Sequence, residues 1–114
     1  MQNNIFDLTG KTAMITGAGG LLGPKHAEAI LDFGGKVILT DHHLDRAEEK
    51  ASLLNEKYGE GSAVAYHMDV ADPLSVKTVV DLCDRIDILI NNAAKDPKVK
   101  KEAGLTPDSR FETM

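Results

Sequence analysis

The sequence predicts an α/β fold, a doubly wound parallel sheet of order β-α-β-α-β-α-β, and three observations carry that expectation. Short apolar runs alternate with amphipathic stretches at regular spacing, the pattern of strands joined by crossover helices. Those runs are nearly all apolar rather than alternating, as strands covered on both faces are. Between the first run and the first amphipathic stretch stands Thr16-Gly17-Ala18-Gly19-Gly20-Leu21-Leu22-Gly23, small-residue chain where a strand must turn into a helix.

Each element has its own local cause. Residues 1–11 are a polar lead-in, with Phe6 and Leu8 as apolar anchors and Gly10-Lys11 as a turn. The first strand is expected at 12–16 and the first helix at 21–33, with Leu21, Leu22, Ala27, Ala29, Ile30 and Leu31 at helical spacing. Pro24 falls in the first turn of that helix, where a missing N–H costs little, and Gly34-Gly35 end it. Lys36–Asp41 is β-branched and apolar with an acid at its end, a second strand. Over 44–58, Leu44, Ala47, Ala51, Leu54 and Tyr58 form one stripe, with Arg46, Glu48, Glu49, Lys50 and Glu56 mostly opposite.

Ala63–His67 is the third strand. Asp72 is the expected N-cap, with Pro73 at the first helical position, of a helix running to about 84. Leu74, Val76, Val79, Val80, Leu82 and Cys83 are its apolar positions. Ile86–Ile90 is the fourth strand, and the regular pattern stops near residue 95. Residues 95–114 read as a polar loop, so the chain is expected to be one domain over 1–114, its sheet truncated after the fourth strand.

The bulk properties exclude several classes. Hydrophobic residues make up 42% and charged residues 27% of the 114, the balance of a globular domain rather than a disordered chain. No apolar run approaches the ~20 residues of a membrane span, and Met1–Leu8 lacks the basic and apolar regions of a secretory signal. A net charge of −5 argues against nucleic acid as a partner. The single cysteine, Cys83, cannot form an internal disulfide, which together with the missing signal leads to the expectation of a cytoplasmic protein without membrane attachment.

Two positions carry the chemistry. A strand, a glycine turn and a helix start can hold a pyrophosphate: Gly17 permits the tight turn, small residues at 18–20 let backbone N–H groups approach oxygen, and Gly23 lets the helix pack closely on the strand. The helix's free N–H groups and positive dipole end then face the anion. Asp41 follows Gly17 by 24 residues, at the end of the second strand, near the offset of roughly 20 expected of an acid that binds an adenosine ribose. Its carboxylate can accept from both ribose hydroxyls and would repel a 2′-phosphate, which favours NAD over NADP. The turn itself contains no Lys or Arg to attract such a phosphate, although a protonated His42 would soften the preference.

The remaining candidates are weaker. His42-His43 beside Asp41 and Asp45 suggests a metal site only superficially, since adjacent histidines at a strand end rarely face one ion, and no metal is expected. Cys83, on an apolar stripe, is expected to be inert packing. Lys95, Lys98, Lys100 and Lys101 are a basic cluster on the ligand-binding edge, able to help admit an anionic substrate if not simply solvated.

Thr16-Gly17-x-x-Gly20-x-x-Gly23, Asp41, Asp69-Val70 and Asn91-Asn92-Ala93-Ala94, in this order over about residues 5–94, together resemble the short-chain dehydrogenase/reductase family; the lead-in Leu8-Thr9-Gly10-Lys11 is similar as well. The resemblance implies a Rossmann-like sheet. It also implies cofactor roles: Gly17, Gly20 and Leu22 along the pyrophosphate with Gly23 behind them, Asp41 on the ribose, Asp69 and Val70 on adenine, and Asn92, Ala93 and Ala94 along the cofactor while Asn91 braces the sheet. The implied reaction is hydride transfer between nicotinamide and a secondary alcohol or carbonyl compound, sugar-like substrates among them, in a homo-oligomeric parent protein.

Two departures shape the expectation. Leu21 stands where the single-domain branch of the family has glycine, so the glycine spacing matches the branch of sugar-nucleotide epimerases and dehydratases, whereas Asn91–Ala94 and Gly10-Lys11 look like the single-domain branch. In the family a tyrosine, a lysine four residues later and a serine perform the acid/base work. Here the only tyrosines, Tyr58 and Tyr66, are followed at that distance by Ser62 and Val70, so no residue receives a catalytic role. The chain therefore looks like the cofactor-binding first part of an enzyme, inactive alone and prone to association through an uncovered sheet edge. The alternatives are a dinucleotide-binding module without turnover and a truncated remnant.

Overall fold

The computed structural model describes residues 7–20 and 22–92. Their order is β1 (Thr12–Thr16), α1 (Gly23–Asp32), β2 (Lys36–Asp41), α2 (Leu44–Tyr58), β3 (Ala63–His67), α3 (Pro73–Leu82) and β4 (Ile88–Asn91). All strand pairs are parallel and the sheet order is β3-β2-β1-β4, so the chain moves outward from β1 to β3 and then crosses back to place β4 on the other side of β1. That reversal leaves a crevice at the carboxyl ends of β1 and β4, where ligands bind in open α/β sheets.

The two faces of the sheet use alternate residues. Ala13, Ile15, Val37, Leu39 and Ala63 pack with Ala27, Ile30 and Leu31 of α1 and with Ala47, Ala51 and Leu54 of α2. Met14 and Ile38 point the other way, to Met68 and to Val79 of α3. Central β1 and β2 are buried along nearly their whole length, as the all-apolar runs predicted. The outer strands β3 and β4 are only partly covered.

Details refine the expected boundaries. α1 starts at Gly23 rather than 21, with Leu22 as N-cap. Leu21, Phe6 and everything from residue 93 onward, including Ala93, Ala94 and the 95–114 loop with its lysines, lie outside the described residues. Leu8 does anchor the lead-in, packing on the main cluster and donating its N–H to Phe33 O at 2.7 Å. Asp72 caps α3 as predicted, accepting from the Leu74 N–H at 3.0 Å. Only Val79 of that helix is buried, whereas Leu74 is 70% exposed and Leu89 of β4 is 63% exposed. The face carrying α3 is thus open where the sequence pattern had suggested a continuous apolar stripe.

Candidate functional site

The site is built on the turn after β1. Thr16 ends the strand, and Gly17 takes φ +63°, a left-handed conformation that a side chain disfavours. Ala18 then tucks beneath the sheet edge, its N–H donating to Thr40 O of β2 at 2.9 Å, and the Gly20 N–H closes the turn on Gly17 O at 3.1 Å. Gly23 was expected to let α1 approach the strand. The close approach is to the turn itself: a Cβ at Gly23 would stand 2.3 Å from Ala18 O and 2.5 Å from its Cα. Turn and helix start are locked together through backbone.

The N-terminus of α1 is left open. Its N-cap makes no side-chain capping bond, and its first turn carries no acid. Neither a capping side chain nor an acid of the first turn offsets the partial positive charge there. A Cβ added at Gly20 would meet only Gly17 O, at 3.4 Å, so the space before Gly20 is free. The cradle fits an anion that lies against backbone.

Asp41 joins this turn across the sheet edge. Only 9% exposed, its carboxylate accepts from the Gly19 N–H at 2.8 Å through Oδ2 and from the His43 N–H at 2.7 Å through Oδ1. Two backbone donors on one carboxylate hold the negative charge in a fixed place. Beyond β3, Asp69 accepts from the Ala71 N–H at 3.0 Å while its own N–H donates to Ser75 Oγ at 3.0 Å, so this loop too is held by its own bonds. Gly17 and Gly20, the Asp41–His43 stretch, Arg46 of α2 and the Met68–Val70 stretch together surround one cavity of about 310 Å³.

On the far side of the turn, the end of β4 is clamped to β1. The Thr16 hydroxyl donates to Asn91 Oδ1 at 3.1 Å and accepts from the Asn92 N–H at 3.0 Å, and Asn92 Nδ2 donates to Gly17 O at 3.2 Å. The resemblance assigned the bracing to Asn91 alone. Here Asn92 shares it, its amide holding the glycine turn.

Of the residues singled out from sequence, the structure brings Gly17, Gly20, Asp41, Asp69 and Val70 to one cavity. Gly23 is buried behind the turn, and Leu22 is 60% exposed and outside that cavity. The reading of the turn as lacking cations missed Arg46. A Cβ at Gly19 would lie 2.6 Å from Arg46 Cβ, so the helix α2 backbone delivers an arginine stem directly to the turn. Arg46 has no ion-pair partner among the described residues. It also lines a neighbouring cavity of about 410 Å³ with Gly19, Gly20, Pro24, Glu49 and Lys50. Its position two residues after Leu44, at the helix start beside Asp41, was the available signal.

Other groups are remote from this edge or inert. Tyr58 donates its hydroxyl to Asp32 at 2.6 Å, a bond that pushes its pKa up, and neither Tyr58 nor Tyr66 lines the cavity. Burial pushes the Cys83 thiol up as well, with the Asp84 charge adding to it, as befits packing. Among the described residues no group of three His, Cys, Asp or Glu is placed to hold a metal ion, and no helix is long and apolar enough to cross a membrane.

Comparison with known proteins shows the family and the fold. The family model described as short chain dehydrogenase matches residues 11–114. An uncharacterised oxidoreductase of Bacillus subtilis is 40% identical over 93 residues, covering 78% of this chain and 33% of the relative. The NAD(+) 15-hydroxyprostaglandin dehydrogenase of Homo sapiens is 37% identical over 90 residues, covering 75% of this chain and 34% of that protein. Among solved structures, L-sorbose reductase from Gluconobacter frateurii, crystallised with NADPH and L-sorbose, superposes with a TM-score of 0.72 at 34% identity over 79% of this chain and 35% of its own. The chain spans about a third of the length of these relatives.

Proposed function

The chain belongs to the short-chain dehydrogenase family, and on that premise we propose that its 310 Å³ cavity holds the adenosine and pyrophosphate part of a nicotinamide dinucleotide for an oxidoreductase. The observation that carries this reading is the meeting of Asp41 with the glycine turn: the Asp41 carboxylate lies 2.8 Å from the Gly19 N–H, so a ribose acid and a pyrophosphate cradle share one wall. Backbone N–H groups of the turn and the open start of α1 take the diphosphate. Asp41 takes the ribose hydroxyls, exchanging a backbone donor for a ligand donor. Asp69 and Val70 flank the adenine, with Asn92, Ala93 and Ala94 further along the cofactor.

When bound, the nicotinamide gives or receives a hydride at a secondary alcohol or carbonyl carbon. The residues described here bind and orient; they do not move the substrate proton. Neither tyrosine is followed by a lysine at the fourth position, and the Tyr58 hydroxyl is committed to Asp32. The chain by itself is therefore proposed to bind the dinucleotide without turnover, with NAD preferred over NADP because a carboxylate at the ribose repels a 2′-phosphate. Titration with NADH at pH 8, followed by its fluorescence, is expected to saturate with one site and with a weaker signal for NADPH. No saturable binding of either would overturn the reading.

A further inference from the structure

The loop between β3 and α3 spends its backbone donors unevenly. The Met68 N–H donates to Asp41 O at 3.0 Å, tying the start of the loop to the end of β2. The Ala71 N–H goes to Asp69 Oδ1 and the Asp72 N–H to Asp69 O, each at 3.0 Å. The Asp69 N–H is taken by a side chain, donating to Ser75 Oγ at 3.0 Å. Ser75 is half-buried in the first turn of α3, next to the Leu74 N–H that Asp72 caps. Its hydroxyl thus reaches back across the whole loop.

The N–H of Val70 is the exception, with no partner among the described residues, and Val70 lines the cavity. Asp69 lines it too. Its Oδ1 takes the Ala71 N–H, while its Oδ2 has no partner among the described residues. An uncommitted acceptor and an uncommitted donor therefore stand on neighbouring residues of one cavity wall. Adenine presents the complementary pair on a single edge, a donating 6-amino group beside the accepting N1.

We infer that Ser75 is a positioning residue for base selectivity: by holding the Asp69 N–H it keeps Asp69 Oδ2 and the Val70 N–H registered as an acceptor–donor pair for adenine. The inference rests on the cavity being the adenosine site. Ser75 does not line the cavity and acts only through the Asp69 backbone. Without its oxygen, the Asp69 N–H must turn to find another acceptor. That rotation moves the Asp69 side chain and the following peptide together, and hydrogen bonds weaken steeply with misalignment. Hypoxanthine reverses both groups of the edge. Its carbonyl oxygen would meet the Asp69 carboxylate, and its protonated N1 would meet the Val70 N–H.

The test compares NADH with reduced nicotinamide hypoxanthine dinucleotide by fluorescence titration. The unmodified chain should prefer NADH about tenfold, for hydrogen bonds at a partly exposed edge. In S75A the preference should fall to about twofold, through loss of NADH affinity, with the affinity for the hypoxanthine dinucleotide unchanged. S75T keeps the hydroxyl and should restore the preference. An S75A chain that keeps its preference overturns the proposal. So does one that loses affinity for both dinucleotides equally, the result a merely structural role would give. Should S75A not fold, S75C fills the same space with a poor acceptor and carries the same expectation. Equal binding of the two dinucleotides by the unmodified chain overturns this inference alone. Absence of NADH binding overturns the adenosine-site reading and this inference with it.

Discussion

Replacing Gly23 with alanine should lower the melting temperature by roughly 10–20 °C, a loss of about 2–3 kcal/mol for a domain of this size. Elsewhere in a helix this change stabilises, by up to ~1 kcal/mol, because alanine is the better helix former. Here the new methyl would sit 2.3 Å from Ala18 O, 2.5 Å from Ala18 Cα and 2.6 Å from Ala18 C. All three are backbone atoms, of a residue with no exposed surface whose N–H is tied to Thr40 O. There is no flexible side chain to swing aside, so the turn or the helix must move. Gly20→Ala is the matched control. Its methyl would meet only Gly17 O, at 3.4 Å, so stability should change little while dinucleotide binding weakens, the methyl occupying the cradle. Thermal unfolding of the two variants separates a glycine kept for packing from one kept for a ligand. Equal melting temperatures for Gly23→Ala and the unmodified chain would contradict the packing account.

Asp41→Ala should weaken NADH binding by about 10- to 100-fold, the worth of hydrogen bonds to a charged group. The same substitution removes the acceptor of the Gly19 and His43 N–H groups, so the turn loses its tie to β2's end and a modest fall in stability accompanies the loss of affinity. Asp41→Asn distinguishes the two contributions. An amide keeps one oxygen acceptor but no charge, so it should restore much of the stability while recovering less of the NADH affinity. It should also improve NADPH binding relative to NADH, since the repulsive charge is gone. An Asp41→Ala variant with unaltered NADH affinity would show that the carboxylate faces no ligand.

What the sequence could reveal follows from how local each cause is. Central strands β1 and β2 match their expected residues because buried parallel strands need continuous apolar runs, and α2 matches because its stripe of Ala47, Ala51 and Leu54 faces the sheet. Asp41 and the turn were paired by spacing alone, and the structure brings them to one cavity. Failures arose where tertiary contacts decide. Leu22 has the residue type and spacing of a core position, yet the lock between Gly23 and Ala18 sets the helix start so that Leu22 faces outward. Val80 and Leu82 share the apolar character of Val79 but not its contact with Met14 and Ile38. Side-chain clamps were hidden for the same reason. Asn55 meets both the N–H and the carbonyl of Ala63, each at 2.9 Å, and Asn92 holds Gly17 O; neither asparagine has a periodicity that announces its partner. Arg46 read as part of a solvated face, because nothing in a helical stripe shows that its stem passes the Gly19 backbone.

The most direct test of the central claim, that the glycine turn and Asp41 form a dinucleotide site, is amide hydrogen exchange with and without saturating NADH. Slowed exchange is predicted at residues 17–20 and 22–23, where N–H groups would meet the diphosphate, and around residues 41–43 and 69–70 at the two ends of the adenosine. The open face of α3 should be unchanged. Protection confined to that face, with exchange at the turn unaffected by NADH, would contradict the account.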